Sequence, residues 1–450
     1  KTVQVLALLS QLQRAGELGS PALLIVPASL LMNWKQEAAR FTPHLTVALA
    51  HPSGDDEQIT KSLISGNLTR LLSYDLVVTT YGMVTRMECF QQTTWGLLIL
   101  DEAQAIKTAT SLQARTVKKL QAKTRLALTG TPVENRLGDL WSLFDFLNPG
   151  LLGTSKAFAE WVKSLSRVGG YDFALLRRLV RPYILRRVKT DKSIIADLPP
   201  KTELRAWCLL TRPQAVLYEQ AVQSLAKTLA EVDKEARRGF ILSALMTFKQ
   251  ICNHPSQQSG DSFYDPALSG KFIKLKNMAV SIAEQQEKLL LFTQFTAIIP
   301  ALRELLRGIF RRDGLVLTGG TKVAERQSLV SQFQNPDGPP FFILSLKAGG
   351  TGLTLTAASH VVHFDRWWNP AVENQATDRA YRIGQQQRVM VHKMICRGTL
   401  EEKIDRLIEG KKSLAEGVMA DGPETRLTEM TDAELLDFVS LDAAAAVEQD

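Results

Sequence analysis

The chain has 450 residues, 45% hydrophobic and 22% charged, the make-up of an ordinary globular protein; at about 150 residues per domain it holds two or three domains, and it is not disordered or collagen-like. Lys and Arg number 54 against 46 Asp and Glu, giving +8, a bias toward a polyanionic partner. No apolar run approaches the ~18 residues of a membrane span, and four scattered cysteines without a CxxC pair argue against a disulfide scaffold or a zinc site.

The thiols read as reduced intracellular residues, no secretory signal is visible, and a start at Lys1-Thr2 without Met is what a fragment, or the ordered part, of something longer is expected to show. Lys1-Thr2 precedes an apolar helical pattern, Val3–Leu12, as the end of a phosphate-binding loop precedes its helix. Lys1 would then reach phosphates and Thr2 would ligate Mg²⁺. The pair gains meaning only from Asp101, 100 residues later in the same predicted sheet. The strands of that sheet are Ala22–Val26, Leu76–Thr80, Leu97–Leu100 and Arg125–Leu128, with helical patterns such as Ser29–Arg40 and Ser111–Leu120 between them. Such alternation predicts a parallel sheet covered on both faces, with its working residues at the carboxyl ends of the strands. Asp101-Glu102-Ala103-Gln104 lies at such an end. A divalent metal would offset the desolvation of two acids, Asp101 holding the ion and Glu102 polarising a nucleophilic water. An ordinary helix N-terminus also favours acids there. Thr129-Gly130-Thr131-Pro132 ends the next strand and reads either as a turn or as a link between a phosphate site and a second ligand.

From Asn148 to about Gly270 strand signals fade, and helical stretches at Ala157–Leu165, Arg212–Leu229 and Ala236–Cys252 predict a helical insert. Its run Arg177, Arg178, Arg181, Arg186, Arg187, Lys189 suits phosphate contact or a solvated helix face equally. Alternation resumes with Leu289–Thr293, Gly314–Thr318, Phe341–Leu344 and His360–Phe364, a second α/β unit over Lys271–Arg397. Ser345–Thr354 carries three glycines and several hydroxyls, so its backbone N–H groups can approach phosphates closely. Trp367-Trp368, beside Arg366, can stack on a ligand or pack internally. Gln375, Arg379 and Arg382, spaced i, i+4, i+7, are expected on one helical face, where two guanidinium groups would meet charge developing at a γ-phosphate. Glu401–Lys412 reads as a terminal helix. Residues 421–450 carry nine acids and one base, leaving residues 1–420 at +16. That tail reads as a solvated, frayed end; the alternative is that the amphipathic Leu427–Leu441 docks on the body and covers basic surface.

In order and spacing these motifs resemble those of Swi/Snf-family ATPases, a branch of the superfamily 2 helicase-like motors, over essentially the whole chain. Lys1-Thr2 is similar to the end of motif I, Ile25-Val26-Pro27 to motif Ia with Trp34 after it, and Asp101–Gln104 to motif II. Leu126–Asn135 is similar to motif III, Leu290–Thr296 to motif IV, Ser345–Thr354 to motif V and Gln375–Gln385 to motif VI. Gln250–Pro255 resembles a landmark of the family's helical insertions. The resemblance implies an α/β fold of two RecA-like parallel-sheet lobes that bind ATP between them. Lobe 1 would span 1–150, helical insertions and linker 151–270, lobe 2 271–400, and a C-terminal helix with acidic tail 401–450.

The resemblance also implies an ATP- and Mg²⁺-dependent motor tracking double-stranded DNA, usually without strand separation, that remodels or displaces a DNA-bound protein. It implies a monomer without membrane attachment, in the cytoplasm with the nucleoid of a prokaryote or in a eukaryotic nucleus. Carried over residue by residue, Glu102, Gln375, Arg379 and Arg382 are catalytic. Lys1, Thr2, Asp101, Gly350 and Gly352 bind the nucleotide, with Thr2 and Asp101 on the metal. Pro27, Thr79, Thr80, Thr129, Thr131, Gln294, Ser345, Lys347, Gly349, Thr351 and Trp368 face nucleic acid. There are departures. The glycines of motif I do not precede Lys1, so weak ATP binding is expected until the upstream loop is restored. Gln104 and Tyr381 stand where His is common, and Thr354 where Asn is; the short inserts and the form of motif V are closer to bacterial or archaeal members. Two other readings are a strand-separating or RNA-directed superfamily 2 helicase and a non-hydrolysing ATP- and DNA-binding module. The helical inserts and the Arg382-Ile-Gly-Gln385 ending speak against the first; intact Asp101, Glu102, Arg379 and Arg382 speak against the second.

Overall fold

The computed structural model describes residues 1–52, 54, 57–130, 137–167, 174–185, 198–231, 234–349, 353–382, 384–415 and 430–447. It divides into two compact units, residues 1–175 and 176 onward. In the first, strands β1 (Ala22–Val26), β2 (Val47–Leu49), β3 (Leu76–Thr80), β4 (Thr94–Leu100) and β5 (Gln121–Ala127) form one parallel sheet in the order β2-β3-β1-β4-β5. Side chains alternate between the two faces of a strand, and the core follows that rule. Leu23, Ile25, Val77 and Leu98 enter one apolar cluster with Phe90 and Trp95. Leu24, Val26, Val78 and Ile99 enter another with Leu6, Leu9 and Trp34. The helices Thr2–Arg14 and Leu31–Phe41 therefore lie on the same side of the sheet.

The second unit is a six-stranded parallel sheet: β6 (Lys201–Cys208), β7 (Leu289–Thr293), β8 (Leu315–Leu317), β9 (Phe341–Ser345), β10 (His360–His363) and β11 (Val389–Cys396), in the order β6-β11-β10-β7-β9-β8. The segment expected to be wholly helical thus supplies an edge strand. Only Ala206 and Cys208 of β6 are buried, too few to print a strand pattern. The helices Arg212–Leu229 and Lys234–Asn253 do form, and their Leu225, Leu245 and Phe248 join the core of this unit beside Leu275, Leu302 and Ile404. Among the described residues no helix is long and apolar enough to cross a membrane.

Over its described residues, 430–447, the tail corrects the reading of a frayed end. Thr431 caps the helix Asp432–Val439, whose Leu435 and Val439, one turn apart, are fully buried. Further on, Ala446 is buried and Val447 bridges to Leu210. Among the described residues the tail meets Arg237, which donates to the Met430 carbonyl and to Asp432 at 2.7 Å, and Lys403, which donates to Ser440. Gly398, at φ +65°, lets the tail pass: a Cβ there would lie 2.4 Å from the Asp442 carbonyl oxygen.

Candidate functional site

The carboxyl ends of β1, β4 and β5 carry the densest chemistry of the first unit. Asp101 follows β4 directly, its N–H donating to the Ile25 carbonyl at 2.9 Å. The residue is only 8% exposed. Its Oδ2 accepts from Trp34 Nε1 at 2.8 Å, its Oδ1 from the Glu102 N–H at 2.9 Å, and its carbonyl from the Tyr81 hydroxyl at 2.8 Å. Burial pushes the Asp101 carboxyl above its ordinary value and Glu102 adds to the shift; the Trp34 hydrogen bond and the Lys1 ammonium pull it back. Lys1 immediately precedes the Thr2–Arg14 helix, and a Cβ on Gly130 would lie 3.9 Å from its Nζ. Lys1, Asp101 and Gly130 are thereby brought together across 130 residues of sequence.

Glu102 adopts the left-handed conformation, φ 49° and ψ 54°, which is strained for a side chain with a Cβ and common at working sites. Its Oε2 accepts from Gln104 Nε2 at 2.7 Å, and Gln104 Oε1 accepts from Thr129 Oγ1 at 3.1 Å. Gln104, which stands where His is common in the resembled family, thus aims Glu102 by a neutral amide. Two adjacent carboxylates, Asp101 and Glu102, stand at the end of β4 with the Lys1 ammonium acting on Asp101, and Thr2, the next residue, opens its helix. Hard oxygen donors with surplus charge fit a small divalent cation, so the residues present suit Mg²⁺.

Other expected residues are placed differently. Thr79 and Thr80 are buried; Thr79 donates to the Ala50 carbonyl and Thr80 caps the Tyr81–Arg86 helix. Pro27 is half-buried at the end of β1. In the second unit Gln294 and Ser345 sit at the carboxyl ends of β7 and β9, and Lys347 and Gly349 lie on the short Leu346–Gly349 helix. Trp368 is 4% exposed and belongs to the core, so packing wins over an open stacking face; Trp367 is the more accessible of the pair. Arg379 and Arg382 do not share a helical face with Gln375. The helix Pro370–Thr377 ends first, and both arginines lie in the turns that follow. Arg382 Nη1 donates to the Leu353 carbonyl at 3.4 Å. Thr131, Gly350, Thr351 and Gly352 lie outside the described residues.

Two features went unread in the sequence. Tyr81 and Gln104 brace the acids through single hydrogen bonds that no spacing announces. Asp365, however, stands just beyond the end of β10, after Phe364, much as Asp101 stands at the end of β4, so the strand-end rule applied there would have found it.

A family model for the SNF2-related domain matches residues 1–257, and one for the helicase conserved C-terminal domain matches residues 270–384. The chain is 40% identical over 460 residues to YwqA of Bacillus subtilis, named as an ATP-dependent helicase/translocase, with 99% of this chain and 48% of that protein covered. It is 30% identical over 505 residues to the DNA repair and recombination protein RAD26 of Saccharomyces cerevisiae, with 98% and 46% covered. The solved Sulfolobus solfataricus SWI2/SNF2 ATPase core in complex with dsDNA is 37% identical, with 98% of this chain and 91% of that chain covered and a TM-score of 0.48. The chain spans about half the length of these curated relatives.

Proposed function

Because the chain belongs to the SNF2-related family, we propose that it is the motor core of an ATP-driven translocase on double-stranded DNA that remodels or displaces a DNA-bound protein. The observation that carries this reading is the convergence of Lys1 and Asp101 at the carboxyl end of one parallel sheet. Lys1 binds the β- and γ-phosphates; Thr2 and Asp101 hold the ion. Bound Mg²⁺ supplies positive charge to the phosphate oxygens. Glu102 orients the attacking water and takes its proton on a carboxylate oxygen, steadied by the Gln104–Thr129 pair. Arg379 and Arg382 meet the charge that develops on the transferred phosphoryl group. The +16 carried by residues 1–420 suits a DNA backbone.

The test is ATP hydrolysis by the intact protein, with and without duplex DNA, beside a strand-displacement assay. Duplex should stimulate turnover and no strand should be released. Turnover indifferent to duplex defeats the reading, and unwinding in step with hydrolysis would transfer the protein to the strand-separating helicases.

A further inference from the structure

The second unit buries a cation that none of the motif assignments uses. Lys249, on the Lys234–Asn253 helix, has no exposed surface. Its ammonium donates to the Arg366 carbonyl and lies 5.0 Å from the Trp368 ring centroid and 5.6 Å from that of Trp367. One residue earlier, the Asp365 carboxylate accepts from Thr293 Oγ1 and, at 3.0 Å, from the Gln294 N–H, tying the end of β10 to the end of β7. Arg366 is itself clamped by Glu373 and Asp405, and Glu373 also accepts the Trp367 N–H at 2.8 Å. Within this frame both polar atoms of the Gln294 amide are buried and lack a hydrogen-bond partner among the described residues. Burying an ammonium is costly where an apolar side chain would pack as well, so a group kept there serves geometry.

We propose that Lys249 is a positioning residue for DNA engagement: it pins the Arg366–Trp368 segment from beneath, and with Asp365 it sets where Trp367 is presented. This rests on the translocase reading. Lys249 touches no DNA itself, since it has no exposed surface; it acts through the more accessible Trp367, while Gln294, its amide buried, braces the end of β7 beneath that segment. Burial pulls the Lys249 ammonium down to about 8. Asp365, Glu401 and Glu373 hold it up, and Lys271 pushes it further down. As the pH rises through that value the ammonium becomes an amine and both cation–π contacts are lost.

The experiment uses the intact protein and its Lys249→Met and Lys249→Arg variants. Tryptophan emission of the wild type, followed from pH 7 to 9.5, should inflect near 8 and lose that inflection in K249M. In duplex-stimulated ATP hydrolysis, K249M should raise the duplex concentration for half-maximal stimulation about tenfold, roughly one charge-assisted hydrogen bond. The duplex-free rate and the KM for ATP should stay within twofold. K249R, charged throughout, should recover most of the affinity and show no change across pH 8. If K249M fails to fold, the wild type decides: its half-saturating duplex concentration should rise across pH 8 together with the emission change. A half-saturating concentration that is flat in pH, or unchanged in folded K249M against a normally stimulated wild type, overturns the positioning role alone. A wild type unmoved by duplex overturns the translocase reading, and this role with it.

Discussion

Replacing Trp34 with Phe asks whether Asp101 is held charged against its surroundings. The indole is 1% exposed and donates to Asp101 Oδ2 at 2.8 Å. Phe keeps most of the packing but has no donor. A hydrogen bond to a charged group is worth about 1.5–3 kcal/mol, against about 0.5–1.5 kcal/mol once the carboxyl is neutral. Burial already raises the Asp101 carboxyl, so loss of the donor raises it further. A carboxyl whose value is raised by folding binds its proton more tightly in the folded chain. The stability it contributes is complete below the unfolded value and is lost as pH rises through the folded one. W34F should therefore cost its packing loss and a neutral hydrogen bond at an acidic pH, where the carboxyl carries its proton, and about 1–1.5 kcal/mol more at about pH 8, where it is charged. Urea unfolding of the ligand-free W34F, Asp101→Asn and double variants at both pH values completes the cycle. In the Asn background the pH-dependent part should vanish. An equal cost at both pH values, or the same pH dependence without the carboxylate, refutes the account of Asp101.

Three further outcomes follow from the same structure. With the loop upstream of Lys1 restored, Glu102→Gln should retain ATP binding and lose turnover, because the amide cannot take the proton of the attacking water; normal hydrolysis by the variant contradicts the assignment. Arg382→Ala should leave nucleotide affinity within roughly tenfold and remove duplex-stimulated hydrolysis, a finger of this kind being worth about 10³–10⁵ in turnover; unchanged stimulated turnover would return Arg382 to a structural role at the Leu353 carbonyl. Deleting residues from Met430 onward should lower the urea midpoint of the second unit, since fully burying Leu435 and Val439 is worth about 1.5–3 kcal/mol each; an unchanged midpoint would show the tail to be dispensable to the fold.

Strands buried on both faces were legible because their sequences are continuous apolar runs: β1, β3, β7 and β9 all stand where the sequence puts them. The three strands that escaped notice have a different physical character. The strand β2 has three residues and β6 is an edge with two buried side chains, while β11 interleaves His392 and Lys393 with its apolar residues. Of the site, acids at a strand end and a Lys-Thr at a helix start could be read, since both follow from local rules. The helical face proposed for Gln375, Arg379 and Arg382 failed because spacing alone cannot report where a helix stops, and this one ends at Thr377 with Asp378 already in the following turn. The docked tail was underread for a related reason. Its net charge predicts solvation, but stability is decided by Leu435, Val439 and Ala446, which an excess of acids on the other faces does not prevent from burying.

The buried charges of the two units differ in a way that separates structure from chemistry. In the second unit Lys271 pairs with Glu401 at 2.6 Å and also reaches Asn253 at 3.0 Å. Burial works against that ammonium, yet Glu401 beside it carries its pKa above the usual lysine value. Removing one member of such a pair costs about 3–5 kcal/mol, while the pair as a whole adds little, which is the behaviour of a structural lock. In the first unit the balance runs the other way. Asp101 is desolvated beside a second acid, its pKa rises, and the next residue is held in a strained backbone conformation. Selection for stability alone would replace Asp101 with a neutral group that still accepts from Trp34. A site left short of positive charge gains by binding a cation with an anionic ligand, and that deficit, more than the presence of any one acid, is why the proposed function puts its chemistry at the end of β4.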